Sequence, residues 1–150
     1  MDTSPIPISI PAVVVLMGSS GSGKSTFART HFFATEILSS DAFRAAVSDD
    51  ENDQSATADA FQLLYFVARK RLSRGRLCVI DATNVRAADR HGYVELAREF
   101  QCQAIAVVFT LDIQTCLERT SARSDRIISL DTVRKQHEEL IARLKDLPKE

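Results

Sequence analysis

Residues 18–26 read "GSSGSGKST" and follow directly on "AVVVLM", Ala12–Met17. This junction decides the fold. A short apolar, β-branched run that gives way to a glycine-rich loop predicts a buried strand, and the residues after the loop predict a helix over Lys24–Thr30. The spacing Gly18-x-x-x-x-Gly23-Lys24-Ser25 is a complete phosphate-binding loop, with strand before and helix after. Glycines let the backbone wrap so that its N–H groups point inward, and the helix adds its positive N-terminal end. The cradle Gly18, Ser19, Ser20, Gly21, Ser22, Gly23, Lys24, Ser25 and Thr26 is therefore expected to hold a nucleoside triphosphate. Lys24 would reach the β- and γ-phosphates, Ser25 would ligate Mg²⁺, and Thr26 would touch the α-phosphate.

Outward from the loop, short apolar runs alternate with helical patterns. Strands are expected at Ala12–Met17, Thr35–Leu38, Leu77–Ile80 and Gln103–Thr110. Helices are expected at Lys24–Thr30, Asp41–Val47, Thr57–Arg74, Ala87–Phe100, Asp112–Ser121 and Thr132–Leu147. In the third of these, Phe61, Leu64, Tyr65, Ala68 and Leu72 recur at helical spacing and Gly75 ends the run. Such alternation predicts an α/β fold, a parallel sheet with helices on both faces. The arrangement usual for this loop gives strand order 2-3-1-4, with Leu77–Ile80 beside Val13–Met17 and Gln103–Thr110 on an edge.

Composition narrows the class. A chain of 150 residues, 45% hydrophobic and 26% charged, can bury a real core as one domain. A formal net charge of -1 excludes a protein that coats nucleic acid by bulk charge, although a few local cations could grip a strand end. Cys78, Cys102 and Cys116 lie too far apart for a zinc site and read as thiols of a reducing cytoplasm. The run Ala12–Met17 is too short to span a bilayer, the N-terminus has no cationic secretory start, and no membrane partner is expected. Pro5, Pro7 and Pro11 read as an extended lead-in strand, and the histidines are scattered.

Three further stretches carry chemistry. In "SSDAFR", Asp41 falls past a strand's carboxyl end, where parallel sheets build their sites, and Arg44 follows one helical turn on. The pair could take a proton from an acceptor hydroxyl and clamp an acceptor phosphate; equally, Ser40 or Asp41 could cap the helix with Arg44 solvated. In "LCVIDATN", Asp81 resembles the strand-end aspartate of the Mg²⁺ site, and Thr83 and Asn84 read as turn and helix-cap residues. In "ERTSARSDR", Arg119, Arg123 and Arg126 would share one helical face and close over a γ-phosphate as a lid spanning about 119–130.

Together "GSSGSGKSTFA", "SSDAFR", "SDDENDQ", "DATNV" and "ERTSARSDR", in this order, resemble the kinase domain of the bacterial polynucleotide kinase-phosphatase family of RNA-repair enzymes, over nearly the whole chain. The resemblance implies transfer of the ATP γ-phosphate to the 5′-hydroxyl end of single-stranded RNA or DNA. It implies Asp41 as general base, Arg44 as contact to the acceptor end, and Arg119, Arg123 and Arg126 as lid residues. It also implies phosphatase and ligase modules in the same or a partner protein. The family's domain continues into a further strand where this chain reads "KDLPKE", so the chain is expected to be a module of a longer protein or to borrow that edge from a neighbour. A small-metabolite or nucleoside kinase and a non-enzymatic nucleotide-binding module would share the loop. Two stretches stay open: Asp49, Asp50, Glu51 and Asp53 as metal or hydroxyl ligands or a solvated acidic loop, and Arg69, Lys70, Arg71, Arg74 and Arg76 as a helix C-terminus or an RNA path.

Overall fold

The computed structural model describes residues 5–125 and 127–149. Strand β1, Ala12–Met17, is buried at every position, and its side chains divide by parity between two cores. Val13, Val15 and Met17 pack with Leu64, Ala68, Leu72, Tyr93, Leu96 and Leu140; Ala12, Val14 and Leu16 pack with Ala28, Leu77 and Val79, bordered by Phe27, Phe32 and Phe109. Burial on both faces is why the run shows no polar alternation.

The other elements are helix α1 (Lys24–His31), strand β2 (Ile37–Ser39), helices α2 (Ser40–Ser48) and α3 (Thr57–Ser73), strand β3 (Cys78–Asp81), helix α4 (Ala87–Glu99), strand β4 (Gln103–Val108), and helices α5 (Ile113–Ala122) and α6 (Leu130–Arg143). Short 3-10 turns occupy Gln54–Ala56 and Leu144–Lys149. The sheet is parallel throughout in the order β2-β3-β1-β4, as the sequence predicts, with Val14 opposite Val79 on one side and Ile105 on the other. β4 forms one edge, with Gln103, Ala104 and Ala106 exposed and the other three positions partly covered. All four carboxyl ends therefore meet on one rim, with the phosphate-binding loop at its centre.

Several boundaries differ from expectation for local reasons. β2 starts at Ile37 rather than Thr35, because Glu36 N–H and Ile37 N–H close a turn onto Phe33 and Ala34 carbonyls at 2.9 and 3.4 Å. The proline-rich lead-in before Ala12 forms no strand. The buried stripe of α3 is Ala60, Leu64, Ala68 and Leu72, while Tyr65 is 36% exposed, so the stripe is narrower than the expected face. α6 begins at Leu130, two residues earlier than expected, with Ser129 as its cap.

Candidate active site

The loop needs glycine at Gly21, for its backbone angle and a close neighbour, and at Gly23, for its backbone angle alone. Gly21 has φ +78°, and a Cβ there would lie 2.5 Å from the Cys116 carbonyl oxygen of α5. Gly23, at φ +97°, caps α1 and lies under Arg119, whose Nη1 would be 3.6 Å from an added Cβ. Gly18 N–H donates to the Thr83 carbonyl (3.0 Å), which ties the loop's start to the end of β3. Ser20 N–H donates to Gln136 Oε1 on α6 (3.0 Å).

Lys24 is 8% exposed and its Nζ donates to the Gly18 and Ser19 carbonyls, both at 2.9 Å. A buried ammonium must have acceptors; here the loop supplies them, at the place where phosphate oxygens would compete for the same donors. Ser25 Oγ donates to Asp81 Oδ2 at 2.8 Å, and Asp81 is buried at the end of β3. These two groups offer oxygen only, the donor set that suits Mg²⁺. The residues fit the ion. Asn84, φ +49°, is a strap rather than a helix cap: its Nδ2 donates to the Leu16 carbonyl at 2.8 Å, and Arg86 caps α4 instead.

Asp41 and Arg44 sit on the first turns of α2. The cap is neither Ser40 nor Asp41 but Ser39, whose Oγ accepts from Ala42 N–H at 3.3 Å. Arg44 is buried, not solvated: it is 6% exposed, donates to Asp41 Oδ1 at 2.7 Å, and donates to the Glu51 carbonyl at 3.1 Å. Its Nε finds no partner among the described residues.

Arg119 and Arg123 do not share a helical face. α5 ends at Ala122, so Arg119 is helical while Arg123 stands on extended backbone. Arg123 nevertheless reaches the same cavity, forking onto Asp125 at 3.2 and 3.0 Å. Its charged form is favoured first by that bond and then by the carboxylates of Asp41 and Glu51. The expected lid position Arg126 lies outside the described residues.

Two cavities meet at Lys24. The larger, about 1070 Å³, is lined by Gly21, Gly23, Lys24, Ser25, Thr26, Asp41, Glu51, Asp81, Arg119 and Arg123. The smaller, about 340 Å³, is lined by Lys24, Arg44, Thr57, Phe61, Thr83, Ile127 and Gln136 among others. A separate recess along α4 contains none of these residues.

The basic run lies elsewhere. It ends α3, which leads into the start of β3, so it borders the rim opposite the site. Arg69 pairs with Glu99, Arg71 Nε donates to the Leu77 carbonyl at 2.9 Å, and Lys70 lies over Phe66. Within the acidic loop, Asp53 caps the turn at Gln54–Ala56 and Asp50 accepts from Asn52 N–H, so both serve the loop's own geometry. Burial pushes the Cys78 thiol up to about 11, that of an inert buried cysteine. No helix among the described residues is long and apolar enough to cross a membrane. The sequence reading singled out neither Asn52, Thr57 nor Gln136. Asn52 sits among the carboxylates of "SDDENDQ", Thr57 and Gln136 stand in helices, and long-range contact reveals the place of each.

A phosphate-binding loop on the rim of a parallel 2-3-1-4 sheet, with a lysine, a serine–aspartate pair and arginines around it, defines a P-loop kinase-like domain. The chain belongs to the AAA domain family, whose profile matches residues 13–147. No curated protein sequence matches it. Among solved structures, a chain of the Pnkp1/Rnl/Hen1 RNA repair complex superposes with a TM-score of 0.78 at 20% identity, covering 97% of this chain and 48% of that one. The Mycobacterium tuberculosis APS kinase CysC, solved with AMPPNP and APS, gives 0.59 at 20% identity over 91% of this chain and 98% of that one. A gluconokinase from Sinorhizobium meliloti 1021 gives 0.54 at 20% identity, over 87% and 75%. These likenesses are of fold. The chain spans about half the length of the repair-complex chain.

Proposed function

We propose that the protein is an ATP-dependent polynucleotide kinase that transfers the γ-phosphate to the 5′-hydroxyl end of RNA or DNA in end repair. The observation that carries this reading is the ion pair at 2.7 Å between the buried Arg44 and the part-exposed Asp41, set where a triphosphate cavity and a smaller cavity meet at Lys24. Arg44 lines the smaller cavity, and a guanidinium there is the donor expected for an acceptor that brings its own phosphate. A 5′-hydroxyl nucleotide within a strand does so; its next linkage is a phosphodiester.

In this mechanism the triphosphate lies along Gly21–Thr26, with Lys24 moving from the loop carbonyls to phosphate oxygens. Ser25 and Asp81 would hold Mg²⁺, which when bound offsets charge on the phosphates. Asp41 takes the acceptor hydroxyl's proton as that oxygen bonds to the γ-phosphorus and the bond to the β-phosphate oxygen breaks, leaving ADP. Arg44 fixes the acceptor, and Arg119 and Arg123 stabilise the transferring group. Phosphatase and ligase modules, in the same or a partner protein, would use the product end.

The test is incubation with γ-labelled ATP and, in parallel, 5′-hydroxyl oligonucleotides, 5′-phosphorylated oligonucleotides and a panel of nucleosides and hydroxylated metabolites. Label on the 5′-hydroxyl oligonucleotide alone is the expected result. Label on a metabolite instead would make the protein a small-molecule kinase, a reading the size of the smaller cavity also accommodates. ATP binding without any transfer would make it a nucleotide-binding module.

A further inference from the structure

The acidic loop and the lid meet through one side chain. Asn52 Nδ2 donates to the Asp125 carbonyl at 3.2 Å, and Asn52 Oδ1 accepts from Ile127 N–H at 2.9 Å. A carbonyl on one side and an N–H on the other fix which way the amide faces, because a flipped amide would set like against like. The first bond falls two residues past Arg123, on the backbone of Asp125, the residue whose carboxylate Arg123 forks onto. Both bonds begin one residue from Glu51, whose carbonyl Arg44 holds. A continuous chain of contacts thus runs from Asp41 through Arg44 and Glu51 to Asn52 and the lid.

Ile128 packs into a small cluster with Cys116, Leu117 and Val133 that is separate from both sheet cores. That cluster packs the lid segment against α5 and α6, and Asn52 adds two hydrogen bonds to it from the acidic loop. We propose that Asn52 is a positioning residue, whose paired bonds to Asp125 and Ile127 set the lid so that Arg123 meets the transferring phosphate, and link lid order to the Arg44 side of the site. This rests on the reading of Arg123 as an arginine of phosphoryl transfer.

Two exposed bonds together shift a closed-lid population by roughly tenfold. In the full chain, Asn52→Ala should therefore speed hydrogen exchange at the Ile127 amide. It should lower kcat about tenfold while leaving the ATP KM within about twofold, because the loop that binds ATP is untouched. Combined with Arg123→Lys it should add little further loss, since both act through one guanidinium. Asn52→Asp should keep the Ile127 bond but oppose the Asp125 carbonyl, giving near-normal exchange at Ile127 and reduced kcat. Unchanged exchange and turnover in Asn52→Ala would overturn the proposal, as would losses that simply add to those of Arg123→Lys. Exchange needs no acceptor. Faster exchange with non-additive kinetics on a metabolite acceptor would therefore uphold the role of Asn52 and overturn only the polynucleotide reading.

Discussion

Alanine at Gly21 tests whether the loop and the lid helix are seated on one another. The residue sits at φ +78°, where a side chain costs about 1–2 kcal/mol. Its Cβ would also fall 2.5 Å from the Cys116 carbonyl oxygen and 2.8 Å from Thr120 Oγ1. The first of these is backbone, so relief requires the loop or α5 to move; overpacking of this kind costs about 1–3 kcal/mol more. The sum, roughly 2–5 kcal/mol, predicts a Tm fall of about 5–15 °C for a chain of this size. Gly75 supplies the control: it has φ +68° with nothing within 4 Å of a Cβ, so Gly75→Ala carries the backbone cost alone. Because α5 also carries Arg119 over Gly23, Gly21→Ala should weaken ATP binding, and Gly75→Ala should not. Thermal unfolding with and without ATP, plus calorimetric titration, reads both effects. Equal Tm values and equal ATP affinities for the two variants would refute the seating argument.

Lys24→Ala should weaken ATP binding and turnover together, whereas Arg123→Lys should lower kcat with little change in ATP affinity, because a lysine cannot grip two oxygens as a planar fork does; steady-state kinetics with ATP titration separates them. Asn84→Ala should destabilise the protein by about 1–3 kcal/mol in urea unfolding, because the buried Leu16 carbonyl loses its 2.8 Å donor where β1 enters the loop. Hydrogen bonds from Thr115 hold the Asp112 carboxyl below its ordinary range. A folded pKa below the unfolded one means stability that is present above the unfolded value and lost as pH falls through the folded value. The Tm gap between wild type and Asp112→Ala should therefore be widest near neutral pH and shrink below about pH 4, as a pH series of melts will show.

Much of the fold was legible because its signals are local. β1, the glycine spacing and α1 form one uninterrupted stretch, and strand order follows from the loop type. The rest was set by contacts far apart in sequence. Which serine caps α2 depends on where β2 ends, and β2 is shortened by a turn that its apolar residues conceal. Whether Arg44 is solvated depends on the acidic loop folding back to offer the Glu51 carbonyl. The arginine spacing in "ERTSARSDR" is helical, yet the helix stops at Ala122, so Arg123 reaches the cavity from extended backbone. Asn52 and Gln136 are single amides with no sequence signature of their own; their partners lie at Ile127 and Ser20. Carboxylates dominate the acidic loop, yet it is the amide among them that reaches the lid.

In the proposed reaction Asp41 accepts the proton of a 5′-hydroxyl while the loop at Lys24 holds the donor. Single-turnover transfer from labelled ATP to a 5′-hydroxyl oligonucleotide, by wild type and by Asp41→Asn with ATP affinity measured alongside, tests it most directly. Wild type should place label on the 5′ end, and Asp41→Asn should lose about 10²–10⁴-fold in rate with ATP affinity unchanged. Near-normal transfer by Asp41→Asn would contradict the account.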